Sequence, residues 1–357
     1  MPVQDFKKIW CGMITNIQKR RGRIIETIVK SFLDTGEPVC STVVSAECGL
    51  GLSPASIRSI MKELEEDGYL SQPHTSAGRI PTVKCYRYYV RCLMKEIDLS
   101  DSELQAVRNV AENSMLMHDF ELFMSHMASV LSEVTDLIGV ALSPSFEQGI
   151  VDRIEIVNLS GSRFLLIISL KSGIVNTIHI TLDKVIPKWK IDETAQLLTH
   201  RLHGLTVSEV KKSIGHRLKG VDAGDRELVE VILRGSETIF SFSEDNSIHV
   251  AGLTRVLTYP EFEPFDSSLK LIDMFEHKDE ILKVLKTTVL NQDVVSFHIG
   301  GTGPWGSYPP LSMVSAMYHS ENATGAIGVI GPSRVYYPKV SAIVRYAAII
   351  TSHFFSS

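Results

Sequence analysis

Cysteine is scarce in this chain and is confined to one end of it. The five cysteines all fall within the first 92 of 357 residues, and no two of them form a C-x-x-C pair. An odd number without such pairing argues against both a disulfide framework and a zinc site. We therefore expect small, buried or half-buried apolar side chains at Cys11, Cys40, Cys48, Cys85 and Cys92.

Long apolar runs and catalytic signatures are also missing. No apolar segment approaches the roughly 18 to 20 residues of a membrane span, and the N-terminal sequence lacks the compact apolar core of a secretory signal. A cytoplasmic location is therefore expected. The twelve histidines form no H-E-x-x-H pattern and no zinc spacing with cysteine, and the chain has no G-x-S-x-G elbow. The sequence thus predicts a protein that is not an enzyme and that binds no metal and no cofactor.

One glycine-rich stretch resembles a dinucleotide-binding loop. Residues 301–306 read GTGPWG and satisfy G-x-G-x-x-G after an apolar strand. However, Pro304, Pro309 and Pro310 prevent a helix from beginning there, so no helix N-terminus would face a pyrophosphate. We interpret the stretch as a turn, and His298 in the preceding strand as a packed residue rather than a ligand.

The charge of the chain is unevenly distributed. Residues 1–95 carry 14 Lys and Arg against 9 Asp and Glu, a net charge of +5, whereas residues 96–357 carry 22 against 32, a net charge of −10. Affinity for phosphate depends on the local field and on counterion release rather than on the charge of the whole chain. The first 95 residues are therefore the candidate nucleic-acid-binding unit.

The beginning of the chain has the pattern of three helices. Residues 22–34 place apolar side chains at helical spacing, and a short second helix is predicted over Ser41–Cys48. Ser53 and Pro54 form an N-cap followed by a first-turn proline, and Gly68 closes the third helix. The short connection between the second and third helices is typical of a helix-turn-helix.

The third helix separates apolar from polar side chains. Its apolar face holds Ile57, Ile60, Met61 and Leu64, and its acids fall in the C-terminal half. A helix enters the major groove with its N-terminal end, small side chains permit close approach, and Arg or Lys bonds guanine edges. The predicted DNA-facing residues are Ser53, Ala55, Ser56, Arg58, Ser59 and Lys62.

A polar hairpin follows the three helices. Residues 72–82 read QPHTSAGRIPT, with turn-forming residues at both ends and hardly any apolar side chain. Three helices and a projecting hairpin are the order of a winged-helix domain, whose wing lies on the sugar-phosphate backbone. The predicted wing contacts are His74, Thr75, Ser76 and Arg79. The alternative for Arg79 is that its side chain stabilises the hairpin internally.

The remainder of the chain predicts an α+β architecture. A further helix is expected to reach about Ile97, and Ser100 with Glu103 forms a capping box for a helical region that ends near Leu137. Strands are expected next, followed by a helical block from Asp192 to about Ser241. One helix over 268–288, three apolar strands and a C-terminal helix complete the prediction.

Three stretches of this sequence resemble the HrcA family, bacterial heat-inducible transcription repressors of chaperone operons. They are LSPASIRSIMKELEEDGYLSQPHTSAGRIPTVKCYRYYV at 52–90, VAGLTRVLTYPEF at 250–262, and VVSFHIGG with GAIGVIGPSRVYYPKV at 294–301 and 325–340. The chain departs from the family pattern in three places. Ser59 and Ile60 stand where the family has asparagine and an acid, Cys85 replaces a glycine, and Gly300–Gly303 replaces a glycine-glycine-glutamate-asparagine run.

The resemblance implies a fold and a function. It implies a winged-helix domain over 1–95, a GAF-like domain over 96–187 and 259–357, and a dimerising domain inserted over 188–258. It also implies a repressor that binds a double-stranded, inverted-repeat operator as a homodimer and is kept active by the chaperonin GroEL. Two alternatives stay open on the residues alone. One is a metabolite-gated regulator with a pocket in the GAF-like domain, and the other is an enzyme with an accessory basic domain.

Overall fold

The computed structural model describes residues 16–74, 77–115, 120–219, 223–242, 248–291, 294–300, 311–319 and 324–355. The GTGPWG stretch and the tip residues Thr75 and Ser76 lie outside the described residues. The chain divides into two compact units. Unit one comprises Met1–Ala141, Ile248–Met317 and Ala326–Ala348, and unit two comprises Leu142–Ser247, Tyr318–Gly325 and Ile349–Ser357.

The elements alternate between helices and short runs of strands, so the α+β prediction is confirmed. The α-helices are α1 (Asn16–Thr35), α2 (Ser41–Glu47), α3 (Pro54–Glu66), α4 (Val83–Tyr88), α5 (Asp101–Met115), α6 (Phe120–Thr135), α7 (Lys188–Leu202), α8 (Val207–Arg217), α9 (Arg226–Arg234), α10 (Ser236–Ile239), α11 (Leu253–Val256), α12 (Phe265–His277), α13 (Asp279–Asn291) and α14 (Tyr337–Phe354). The strands are β1 (Leu70–Ser71), β2 (Ile80–Pro81), β3 (Ile138–Leu142), β4 (Val151–Ser160), β5 (Arg163–Leu170), β6 (Val175–Thr181), β7 (Ile248–Ala251), β8 (Ser296–Ile299), β9 (Leu311–His319) and β10 (Thr324–Pro332).

Unit one begins with the three predicted helices and the predicted hairpin. β1 and β2 pair antiparallel, with Leu70 opposite Pro81. The helices bury the apolar side chains that the helical spacing selected, including Ile24, Ile28 and Ile57. The order α1-α2-α3-β1-β2 is therefore the predicted one.

The helix after the hairpin is shorter than predicted. α4 passes into a π-helical turn over Tyr89–Leu93, and Met94 then adopts an extended conformation with ψ 131°. The helix therefore ends well before Ile97. The capping box at the start of α5 is confirmed, because the Ser100 amide donates to Glu103 Oε2 at 2.9 Å and the Glu103 amide donates to Ser100 Oγ at 3.4 Å.

A five-stranded sheet with the order β7-β3-β10-β9-β8 supplies most of the remaining apolar core of unit one. β9 and β10 are buried along nearly their whole length. α14 buries Ile343, Val344 and Ala347. The prediction of a single helix over 268–288 is wrong. α12 and α13 are separate helices because Lys278 adopts a left-handed conformation with φ 46° between them.

Unit two is built on a three-stranded antiparallel sheet with the order β4-β5-β6. Val157 lies opposite Leu165, and Leu165 lies opposite His179. α7 packs on β4. The Thr199 hydroxyl accepts a hydrogen bond from the Ile154 amide and donates one to the Ile154 carbonyl, both at 3.0 Å. The predicted helical block is α7 to α10, which begins at Lys188 rather than at Asp192.

The described cysteines differ in burial. Cys48 and Cys85 are buried and Cys92 is half-buried, as predicted, whereas the prediction is wrong for Cys40, which is exposed; Cys11 lies outside the described residues. Burial raises the pKa of the Cys85 thiol to about 12. Within the part of the chain that the structure describes, no helix is both long and apolar enough to cross a membrane.

Replacement of Tyr86 on α4 by phenylalanine is expected to stabilise the protein. Its side chain is buried, and its hydroxyl has no hydrogen-bond partner among the described residues. An unsatisfied buried hydroxyl costs about 1–3 kcal/mol. Tyr86→Phe should therefore raise the free energy of unfolding by about 1 kcal/mol in thermal or urea melts. Tyr337→Phe is the matched control, since the buried Tyr337 hydroxyl donates to the Ser333 carbonyl at 2.8 Å. That variant should be less stable than wild type, and equal effects of the two changes would contradict the assignment.

Candidate nucleic-acid interface

Helix α3 begins and ends where its sequence dictates. The Ser53 hydroxyl accepts a hydrogen bond from the Ser56 amide at 3.2 Å, and Pro54 occupies the first helical position. Asp67 forms the C-cap, and its amide bonds the Glu63 carbonyl at 2.9 Å. A serine cap and a proline satisfy or remove amide groups that would otherwise lack partners. The N-terminal end of α3 is therefore a well-formed helix end.

The two faces of α3 differ in burial as the periodicity predicts. Ile57, Met61 and Leu64 are buried, and Ile60 is half-buried. The side chains predicted to face DNA are all exposed: Ser53, Ala55, Ser56, Arg58, Ser59 and Lys62. Their contact with DNA stays a prediction, but they form a solvent-facing surface that extends from the start of the helix to Lys62.

Three of the four acids at the C-terminal end of α3 are paired with cations from other elements. Arg21 on α1 contacts Glu63 at 3.0 Å and Asp67 at 3.1 Å. Arg79 in the hairpin contacts Glu65 at 2.9 Å. Pairing neutralises carboxylates that would otherwise repel phosphate groups, and it ties α3 to α1 and to the hairpin.

The cations on the predicted DNA face form fewer and weaker ion pairs than Arg21 and Arg79 do. Within the described part of the chain, Arg58 forms no ion pair. Lys62 lies 3.9 Å from Glu66, and both side chains are largely exposed, so this pair is weak. The exposed surface at the N-terminal half of α3 is therefore positively charged and available to a polyanion.

The hairpin is held against the connection between α1 and α2. Arg79 and Val39 exchange two backbone hydrogen bonds of 2.9 Å. Gly78 lies so close to this connection that a Cβ atom there would be 2.4 Å from the Val39 carbonyl oxygen. His74 near the tip is exposed, and its carbonyl accepts from the Ala77 amide at 2.9 Å. Backbone contacts thus hold the base of the hairpin against the connection between α1 and α2.

The side chain of Arg79 points toward α3. Its Nε atom donates to Glu65 Oε2 at 2.9 Å, and only 18% of the side chain is exposed. This geometry is the one expected if Arg79 stabilises the hairpin internally. The predicted backbone contact of Arg79 with DNA would require the guanidinium to bind phosphate through its remaining N–H groups or to leave Glu65.

A double-mutant cycle separates these two roles. If Arg79 acts through Glu65, then Arg79→Gln and Glu65→Gln should each lower the free energy of unfolding by about 1 kcal/mol, and the double variant should lose little more. If Arg79 binds phosphate instead, Arg79→Gln alone should lose DNA affinity and Glu65→Gln should keep it. Melts of the three variants measure the free energy of unfolding, and DNA titrations at one salt concentration measure the affinity for DNA.

Sequence reasoning missed several residues that shape this surface. Arg21 is separated by 42 residues from Glu63, and no local pattern links them. Lys84 donates to the Asp67 carbonyl at 2.6 Å and lies 4.6 Å from the Tyr69 ring centroid, which fixes the start of α4 beside the hairpin. The close approach at Gly78 could have been predicted, because a glycine next to a turn often marks a place where two backbone segments come close together.

The described geometry defines a class of protein. The exposed face of α3 has hydroxyl and cationic side chains, α3 follows α2 after a short connection, and the Arg79–Glu65 ion pair connects α3 to the hairpin. This arrangement is typical of DNA-binding transcription regulators that place a helix in the major groove.

Comparison with known proteins agrees with this class and narrows it. The family model described as "HrcA protein C terminal domain" matches residues 121–341. The chain therefore belongs to the HrcA family, whose members are transcription regulators and not enzymes.

The similar proteins extend over nearly the whole chain. The heat-inducible transcription repressor HrcA of Chlorobium phaeobacteroides (strain BS1) is 32% identical over 350 residues, covering 96% of this chain and 99% of that protein. The repressor of the same name from Prosthecochloris aestuarii is 32% identical, covering 96% and 98%. A crystal structure described only as that of a hypothetical protein matches with a TM-score of 0.59 at 22% identity, covering 94% of this chain and 98% of the other. That match supports the fold alone.

Proposed function

We propose that this chain represses transcription by binding operator DNA through α3, with the N-terminal helices and hairpin acting as a winged-helix domain over 1–95. The observation that carries the proposal is the exposed, cationic N-terminal half of α3, whose opposite end has its acids paired within the protein. The proposed base-reading face comprises Ser53, Ala55, Ser56, Arg58, Ser59 and Lys62. The hairpin residues His74, Thr75 and Ser76 are proposed to contact the sugar-phosphate backbone.

The operator is proposed to be an inverted repeat that is bound by a homodimer. A two-fold dimer presents two copies of α3, and two-fold symmetry in the protein requires two-fold symmetry in the site. The proposed division of the chain is a GAF-like domain over 96–187 and 259–357 and a dimerising insert over 188–258. The names of the relatives support the repressor function.

Hydroxyl-radical footprinting tests this proposal. A duplex with two inverted half-sites should show two protected patches centred about one helical turn of 10–10.5 base pairs, or a multiple of it, apart. Binding should involve two chains per duplex by analytical ultracentrifugation. Protection without periodicity, or one chain per duplex, would contradict the dimeric mode of binding.

We propose further that the chaperonin GroEL keeps this repressor active. β9 and β10 are apolar strands buried along nearly their whole length, and loosening of their sheet would expose them. Exposed apolar strands aggregate and recruit chaperonins. Refolding with and without chaperonin and ATP, followed by operator titration, tests the idea. A high yield of DNA-binding protein without chaperonin, unchanged by adding it, would contradict it.

A further inference from the structure

A side chain just beyond the hairpin connects the candidate DNA-binding elements to the five-stranded sheet of unit one. Arg87 on α4 donates from Nε and Nη2 to the Ile299 carbonyl at 2.9 and 2.6 Å, and from Nη2 to the Gly300 carbonyl at 2.7 Å. Hydrogen bonds from a charged donor are stronger than neutral ones, and the planar guanidinium fixes their direction. Arg87 therefore holds α4 at a defined angle to the end of β8.

The acceptors of Arg87 are themselves rigid. Ile299 lies opposite Ser312 in the β8–β9 pair, and the Gly300 amide donates to the Leu311 carbonyl at 2.7 Å. Both carbonyls therefore belong to backbone that the sheet already fixes. A flexible linker would offer no such anchor.

The backbone and the side chains beside Arg87 approach closely as well. Gly300 has φ 56°, and a Cβ atom there would lie 2.6 Å from a methyl group of Val83 on α4. On the neighbouring position of α4, the buried Tyr86 ring packs against Tyr337 with centroids 5.9 Å apart. α4 is thus packed on the sheet and on α14 at the same time.

A second point of contact lies at the end of α1. Gly36 is so close to Arg334 that a Cβ atom there would be 2.7 Å from its Nη1 atom, and Arg334 Nε bonds Glu261 at 3.1 Å. A single contact would leave α1–α3 free to pivot on α4. Contacts at two different parts of the N-terminal segment restrict that rotation.

We infer that Arg87 is a positioning residue that sets the direction of α3 relative to the sheet and thereby restricts the half-site spacing that a dimer accepts. The inference rests on the proposed function as a dimeric repressor. Two recognition helices on fixed supports fit half-sites at one separation, whereas helices on flexible linkers adjust to several. Arg87 does not need to touch DNA to have this effect.

The test compares DNA duplexes that differ only in the separation of two inverted half-sites, in single base-pair steps. Wild type should bind the duplex with its preferred separation at least about tenfold more tightly than duplexes whose separation differs by two base pairs. Arg87→Ala should reduce this preference to about threefold or less while binding a single half-site as wild type does. Arg91→Ala is the matched control, because Arg91 is exposed one turn further along, and it should keep the wild-type preference. Arg87→Lys should restore part of it.

Gly300→Ala keeps Arg87 but forces α4 away from β8, so it should also relax the spacing preference even if Arg87→Ala folds poorly. Circular dichroism and thermal melts verify that every variant is folded. An unchanged spacing profile in a folded Arg87→Ala or Gly300→Ala protein overturns the inference. A loss of single half-site binding equal to the loss on the full operator also overturns it, because Arg87 would then act on α3 itself. Failure of wild type to bind any inverted repeat contradicts the proposed function, and the inference falls with it.

Discussion

Arg58→Ala is expected to relax sequence preference by about 1–3 kcal/mol at one base pair of the half-site. Arg58 is exposed on the N-terminal half of α3, opposite Ile57 and Met61. It forms no ion pair with any residue that the structure describes, so its guanidinium needs no rearrangement to reach a base edge. Titrations against the operator and its single-base variants over a series of salt concentrations measure the effect.

The same titrations distinguish a base contact from a phosphate contact. If Arg58 or Lys62 binds phosphate, the alanine variant should weaken binding to all duplexes alike and lower the salt slope by about one. Arg153→Ala is a suitable control, because 66% of the Arg153 side chain is exposed on β4, outside the proposed DNA-binding domain and the proposed dimerising insert. It should change neither specificity nor slope. Unchanged affinity and salt dependence in both Arg58→Ala and Lys62→Ala would contradict the assignment of the DNA face.

Gly78→Ala is expected to displace the hairpin and to weaken DNA binding. The added Cβ atom would lie 2.4 Å from the Val39 carbonyl oxygen and 2.6 Å from the Pro38 carbonyl oxygen. Both are backbone atoms, so no side chain can rotate to relieve the overlap. Overpacking of this kind costs about 1–3 kcal/mol. The melting temperature should fall, and the displaced hairpin should lower affinity for all duplexes without changing the preferred site.

Gly215→Ala provides the control for this substitution. Gly215 lies in α8, and a Cβ atom there meets no atom within 4 Å. Alanine is the better helix former by about 1 kcal/mol, so this variant should be equally or more stable than wild type. Equal melting temperatures for wild type and Gly78→Ala would show that the hairpin does not need the close approach at Val39.

Local signals made the N-terminal elements predictable. Ser53, Pro54 and Gly68 mark the ends of α3 within the sequence itself, and the observed helix begins at Pro54 and ends at Glu66. The division at Lys278 had no such signal. The apolar spacing continues from Leu271 and Met274 through to Ile281 and therefore predicts one long helix, although the backbone turns at Lys278. A left-handed conformation at a lysine is uncommon, and hydrophobic periodicity contains no signal for it.

The contacts that orient the candidate interface could not be predicted, because they join distant parts of the chain. Arg87 and Ile299 are separated by 212 residues, and nothing near Arg87 identifies its acceptors. The same applies to Arg79: its position near a turn favours a phosphate contact, whereas in the structure its guanidinium lies beside Glu65. Exposure of a side chain can be inferred from helical spacing, whereas its partner depends on the tertiary fold.

The most direct test of the account is a competition titration of the full chain on an inverted-repeat duplex from upstream of chaperone genes. Binding to that duplex should be about 10³-fold or more tighter than to a scrambled duplex of the same composition, and it should weaken as salt rises. Equal affinity for the two duplexes at physiological salt, or no binding to either by the folded protein, would contradict the proposal that α3 reads an operator.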